Sequence, residues 1–132
     1  MNNAMLSIYS NKVKKFYDRG FSKEEVKIEL EQEKEHYENA LYEVNKKKKE
    51  VESLTTLEEV FNHDGLGFKQ DFKTLEEFIE SYGEDVAPIL NGCLENMDYH
   101  VCSFYSNPKD TMCTRWEVEQ RIYAIENQLM SL

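Results

Sequence analysis

Apolar residues recur along this chain at three- and four-residue intervals, the spacing that gathers them on one face of an α-helix. The clearest case runs from Ser22 to Leu54 without a Gly or Pro, its stripe formed by Val26, Leu30, Tyr37, Leu41, Val44, Val51 and Leu54. Ser22-Lys-Glu-Glu25 opens it as a capping box, in which the Ser hydroxyl and the Glu carboxylate each satisfy a backbone N–H that the first turn leaves without a partner. The segment predicts a helix of roughly 48 Å over about 33 residues. That is longer than a chain of 132 residues needs for its own core, so it is expected to pack against a partner chain or to span a whole bundle.

Before it, Met5, Ile8, Tyr9, Val13, Phe16 and Tyr17 are spaced for a helix over Ala4–Arg19, and Gly20 suits a left-handed C-terminal cap. The short link makes an αα-hairpin. After it, Thr56 with Glu59 and Thr74 with Glu77 are further capping boxes that open short helices, separated by a turn at His63-Asp-Gly-Leu-Gly-Phe68. Gly83 should end the second of these. Asp85-Val-Ala-Pro88 starts a helix that buries Ile89, Leu90, Cys93, Leu94 and Met97. Residues 99–105 suit either helix or strand. Thr114 with Glu117 caps a last helix bearing Val118, Ile122, Ile125 and Leu129 on one face. The expected fold is mainly α: a helical bundle built around the long helix at 22–54. One domain should span 1–132, with the hairpin at 1–54 and an acidic helical part at 55–132.

Charge changes this picture. The net charge of −10 is uneven, since Glu58 to Asp98 holds eleven carboxylates against Lys69 and Lys73 alone. Phosphate would be repelled there, so nucleic acid is not an expected direct partner of that region. Glu76, Glu77, Glu80, Glu84 and Asp85 form the densest group. Helical carboxylates three or four residues apart lie about 5–6 Å from one another, an approximate imitation of a phosphate track. They are the candidate residues for binding a basic, nucleic-acid-binding protein. In size and charge the chain resembles the small acidic inhibitors that phages direct at host nucleases, anti-CRISPR proteins among them; the likeness covers no motif.

Two further patterns compete. Leu30, Tyr37, Val44 and Val51 recur every seven residues and, with Leu41, are candidates for self-association as a coiled coil or oligomer. The complementary positions, Val26, Glu33, Ala40, Lys47 and Leu54, include two charges that degrade the heptad. Lys12, Lys14, Lys15 and Arg19 precede a Gly-containing turn, as in a helix-turn-helix DNA-binding regulator. Gly20-Phe-Ser-Lys-Glu-Glu25 is similar to a turn in MerR-type regulators over these six residues. Glu24, Glu25, Glu29 and Glu31 would then face phosphate, which opposes DNA binding.

The chemistry-bearing residues carry little pattern. Cys93, His100, Cys102 and Cys113 lack metal-ligand spacing, and His63 beside Asp64 is the one place where a base adjoins a carboxylate. No phosphate loop or nucleophile motif occurs, so no enzyme, cofactor or metal is expected. Trp116, Tyr99, Phe104 and Tyr105 are candidate interface anchors, with core packing beside Ile122 the favoured role for Trp116. An odd cysteine count and the lack of a secretion signal or apolar span point to a cytoplasmic protein without a membrane partner. The function expected from these readings is non-catalytic binding of a basic host protein, by occlusion.

Overall fold

The computed structural model describes residues 3–101 and 114–132. Among them the chain is helical, without strands: α1 (Asn3–Asp18), α2 (Lys23–Glu52), α3 (Leu57–Asn62), a single 3-10 turn (Asp64–Leu66), α4 (Phe68–Asp71), α5 (Leu75–Tyr82), α6 (Val86–Tyr99) and α7 (Arg115–Ser131). The all-α fold, the long helix and the N-terminal hairpin follow the pattern read from the sequence. The His63–Phe68 turn is more ordered than expected, holding the 3-10 turn and leading into α4. Residues 102–105, for which helix and strand were both open, lie outside the described residues.

Local chemistry fixes the helix ends. Ser22 Oγ accepts from the Glu25 N–H at 3.2 Å, and Glu25 Oε1 accepts from the Ser22 N–H at 3.2 Å. Thr56, Thr74 and Thr114 each accept the N–H three residues on, at 3.1, 3.2 and 3.1 Å. Glu59 also accepts the hydroxyls of Thr55 and Thr56, and these bonds hold its carboxyl below the usual range. Gly20 closes α1 at φ +88 and Gly83 follows α5 at φ +91, left-handed conformations that a Cβ disfavours.

Contacts divide the chain into two compact units, residues 1–43 with 100–132, and residues 44–99. The boundary between them falls inside α2, and α7 groups with the N-terminal hairpin. The sequence hides this because nothing in a continuous helix marks where its stripe passes from one core to another.

In the first unit α1 packs along α7, and Met5, Tyr9, Val13 and Phe16 are buried, as are Val26, Leu30, Tyr37 and Ala40 of α2 and Val118, Ala124 and Ile125 of α7. Polar pairs tie the helices together. Tyr9 donates its hydroxyl to Glu33 Oε1 at 3.0 Å, and Lys12 Nζ donates to Glu33 Oε2 at 2.7 Å. Burial, then the Glu33 carboxylate, push the Tyr9 phenol well above its ordinary pKa, so it remains a donor. Arg121 Nη1 donates to Tyr37 Oη at 2.6 Å, and Lys34 ion-pairs with Glu126 at 3.3 Å.

The second unit is built on Phe78, whose ring lies 5.5 Å from Phe61, 4.8 Å from Phe68, 5.8 Å from Phe72 and 5.3 Å from Tyr82. Val60, Phe61, Phe78 and Ile89 are its buried centre. Of the α6 residues expected inside, Ile89 and Met97 are buried, while Leu90, Cys93 and Leu94 are half-buried. Lys48, from the lysine run at 46–49, ion-pairs with Asp98 of α6 at 3.0 Å.

Candidate interaction surface

The acidic group sits on α5 and the turn that follows it. Thr74 caps the helix, Phe78 pins its inner face, and Gly83 ends it. With the helix held this way, Glu76, Glu77 and Glu80 are directed outward, and Glu84 and Asp85 follow at the exposed turn. Two of the five have local work: Glu77 Oε2 accepts from the Lys73 N–H at 3.2 Å, and Asp85 Oδ1 accepts from the Ala87 N–H at 3.2 Å. Among the described residues, no ion pair reaches any of the five. The result is an exposed anionic ridge on an element fixed from beneath by an aromatic cluster.

Tyr82 belongs to the same element and was missed as a candidate. It is half exposed, and its ring meets Phe68 at 5.5 Å and Phe72 at 5.7 Å edge-on and lies tilted against Phe78. An aromatic ring rooted in a core and open on its outer side suits an interface anchor. Its spacing of four residues from Phe78 was the available signal.

The other candidates are placed as follows. Leu30, Tyr37, Val44 and Val51 are buried within the single chain and Leu41 is half-buried, so the heptad stripe is occupied by the protein's own packing. The charged heptad residue Glu33 is the acceptor for Tyr9 and Lys12. Of the basic N-terminal residues, Lys12 is engaged there and Arg19 lies over the Phe16 ring at 5.5 Å. Lys14 and Lys15 are exposed, as are Glu24, Glu25, Glu29 and Glu31 across the turn. The hairpin is closed by Phe16 stacking on Phe21 at 5.0 Å.

Trp116 corrects the expectation of a core position: it is exposed on α7. Two residues along a helix are a rotation of about 200°, so Trp116 and the buried Val118 face opposite ways. Tyr99 is also exposed, and Phe104 and Tyr105 lie outside the described residues.

Burial raises the pKa of the Cys93 thiol. Cys102 and Cys113 lie outside the described residues, among which no group of three or more His, Cys, Asp or Glu side chains could hold a metal ion. His63 Nδ1 is buried without a hydrogen-bond partner among the described residues, so Asp64 does not orient the ring through that nitrogen. No described helix is long and apolar enough to cross a membrane. No protein-family profile matches the chain, and no curated protein or solved structure is significantly similar to it.

Proposed function

We propose that this chain works without catalysis, by binding a basic, nucleic-acid-binding protein through α5 and the α5–α6 turn and so occluding that protein's own binding surface. The observation that carries the reading is the ridge Glu76, Glu77, Glu80, Glu84 and Asp85, exposed and without an ion pair among the described residues. Carboxylates that already had lysine partners would have to break those pairs to meet a new one; these do not. The rigid base under α5 supports it further, because a preformed surface loses little freedom on association. Tyr82 supplies an aromatic face, whose negative quadrupole suits a Lys or Arg of the partner. The occlusion is electrostatic in origin, so it strengthens encounter and orientation and is weakened by salt.

Tagged protein should capture a basic protein from a lysate at low salt, and duplex nucleic acid should displace that protein. Raising salt from about 0.05 M to about 0.5 M should weaken the complex at least about tenfold. The triple variant Glu76→Lys, Glu80→Lys, Glu84→Lys leaves the caps at Thr74 and Asp85 in place and should fold with unchanged circular dichroism while losing the capture. Binding that survives high salt, or that the triple variant retains, would sink the proposal.

A further inference from the structure

Gly92 stands in the middle of α6 without a structural reason to be glycine. Its φ is not positive, and a Cβ built on it would meet nothing within 4 Å. Glycine weakens a helix interior more than any residue but proline, so α6 carries a local cost that packing at this position does not offset. The residue before it, Asn91, is exposed, and its carboxamide makes no hydrogen bond among the described residues. Asn91-Gly92 is the one Asn-Gly pair in the sequence. A local rule broken with no gain in the fold marks a place where chemistry or motion matters.

We infer that Asn91-Gly92 is a site of spontaneous covalent modification, at which the Asn91 carboxamide is converted to aspartate or isoaspartate when α6 opens. The Gly92 backbone nitrogen attacks Asn91 Cγ. The new C–N bond closes a cyclic succinimide, and the side-chain nitrogen leaves as ammonia, carrying the proton that the Gly92 nitrogen gives up. Water then cleaves one of the two imide C–N bonds. Cleavage at Cγ leaves aspartate, and cleavage at the Asn91 main-chain carbonyl leaves isoaspartate. Water is the only co-reactant, and nothing is oxidised or reduced. A side chain at position 92 would crowd the attacking nitrogen, and glycine leaves it open.

The fold gates this reaction. Within an α-helix each N–H is committed to the carbonyl four residues back, so the Gly92 nitrogen is engaged while α6 is intact and reaches the Asn91 side chain only after local opening. Asn and Gly are both poor helix formers, and they lie between Ile89 and Met97, the buried residues of α6, so the weak point falls between two anchors. Isoaspartate routes the backbone through a side-chain carbon, and the helical hydrogen-bond ladder can no longer close across 91–92. Leu90 and Cys93, which pack against the Val60, Phe61, Phe78 and Ile89 cluster, then lose their common register. Aspartate instead sets a new carboxylate four residues before Glu95, a like-charge pair on one helix face. Either product makes the opening of α6 harder to reverse.

The full chain, incubated in mildly alkaline buffer and then cleaved after glutamate, should yield a peptide of residues 85–95 whose mass shows an OH in place of an NH2, with isoaspartate at position 91. Asn96, exposed in the same helix but followed by Met97, is the internal control and should remain an amide. The same chain unfolded in urea should convert at Asn91 at least about tenfold faster than the native one. Gly92→Ala strengthens the helix and crowds the attack, so it should slow native conversion at least about fivefold. Purified isoaspartyl chain should lose hydrogen-exchange protection over 89–93. Conversion at Asn91 no faster than at Asn96 overturns the inference. So does a native rate equal to the unfolded one, a Gly92→Ala chain that converts as fast as the parent, or an isoaspartyl chain as protected as the parent.

Discussion

Glu33 illustrates how a single residue can read as a defect in sequence and act as a fastener in structure. It interrupts the heptad stripe, and yet its two oxygens take the Tyr9 hydroxyl at 3.0 Å and the Lys12 ammonium at 2.7 Å. A buried hydroxyl bonded to a carboxylate is worth more than one bonded to a neutral acceptor. Tyr9→Phe keeps the ring packing and removes that bond, so it should lower stability by about 1.5 kcal/mol in urea denaturation, with the urea dependence of the unfolding free energy unchanged. A loss below about 0.3 kcal/mol would mean that water serves the carboxylate equally well. Trp116 gives the complementary lesson: the expectation put it in the core beside Ile122, whereas its angle on α7 sends it outward.

At the level of elements, the second unit is a set of short helices that no isolated peptide would hold. Helices of four, six and eight residues, α4, α3 and α5, lie below the length at which helix formation sustains itself in water. Their caps start them, and the rings around Phe78 keep them. Phe78→Ala removes the shared centre and should cost about 3–5 kcal/mol. Hydrogen exchange should then report faster opening of α3, α4 and α5 than of α1 and α7. Equal loss of protection everywhere would show that Phe78 does not act through its own unit. Because α5 carries the acidic ridge, the same change should also weaken the proposed partner binding, although Phe78 itself is buried.

Over the whole molecule, charge is the dominant long-range term. Twenty-six acidic residues stand against sixteen basic ones. The ion pairs between exposed side chains contribute little each, so the uncompensated repulsion outweighs them. Thermal stability should therefore rise by a few degrees as salt increases from about 0.05 M to about 0.5 M. A midpoint that falls with salt would show instead that pairs such as Lys12–Glu33 and Lys48–Asp98 outweigh the net repulsion.

Local events are legible in the order of residues: which segments are helical, where Ser22, Thr56, Thr74 and Thr114 start them, where Gly20 and Gly83 stop them, and that the carboxylates from Glu76 to Asp85 crowd one stretch. Each depends on interactions within a few residues, which spacing encodes directly. Packing between distant residues settles the rest: the stripe Leu30, Tyr37, Val44 and Val51 is covered by the chain itself, α2 serves two units, Tyr82 stands on an aromatic base, and α7 leaves Trp116, Tyr123 and Met130 outside. These depend on which of several apolar faces meet. The choice is made by the summed burial of residues far apart in the chain, where helical periodicity alone is the same for a face that packs within the molecule and one left for a partner.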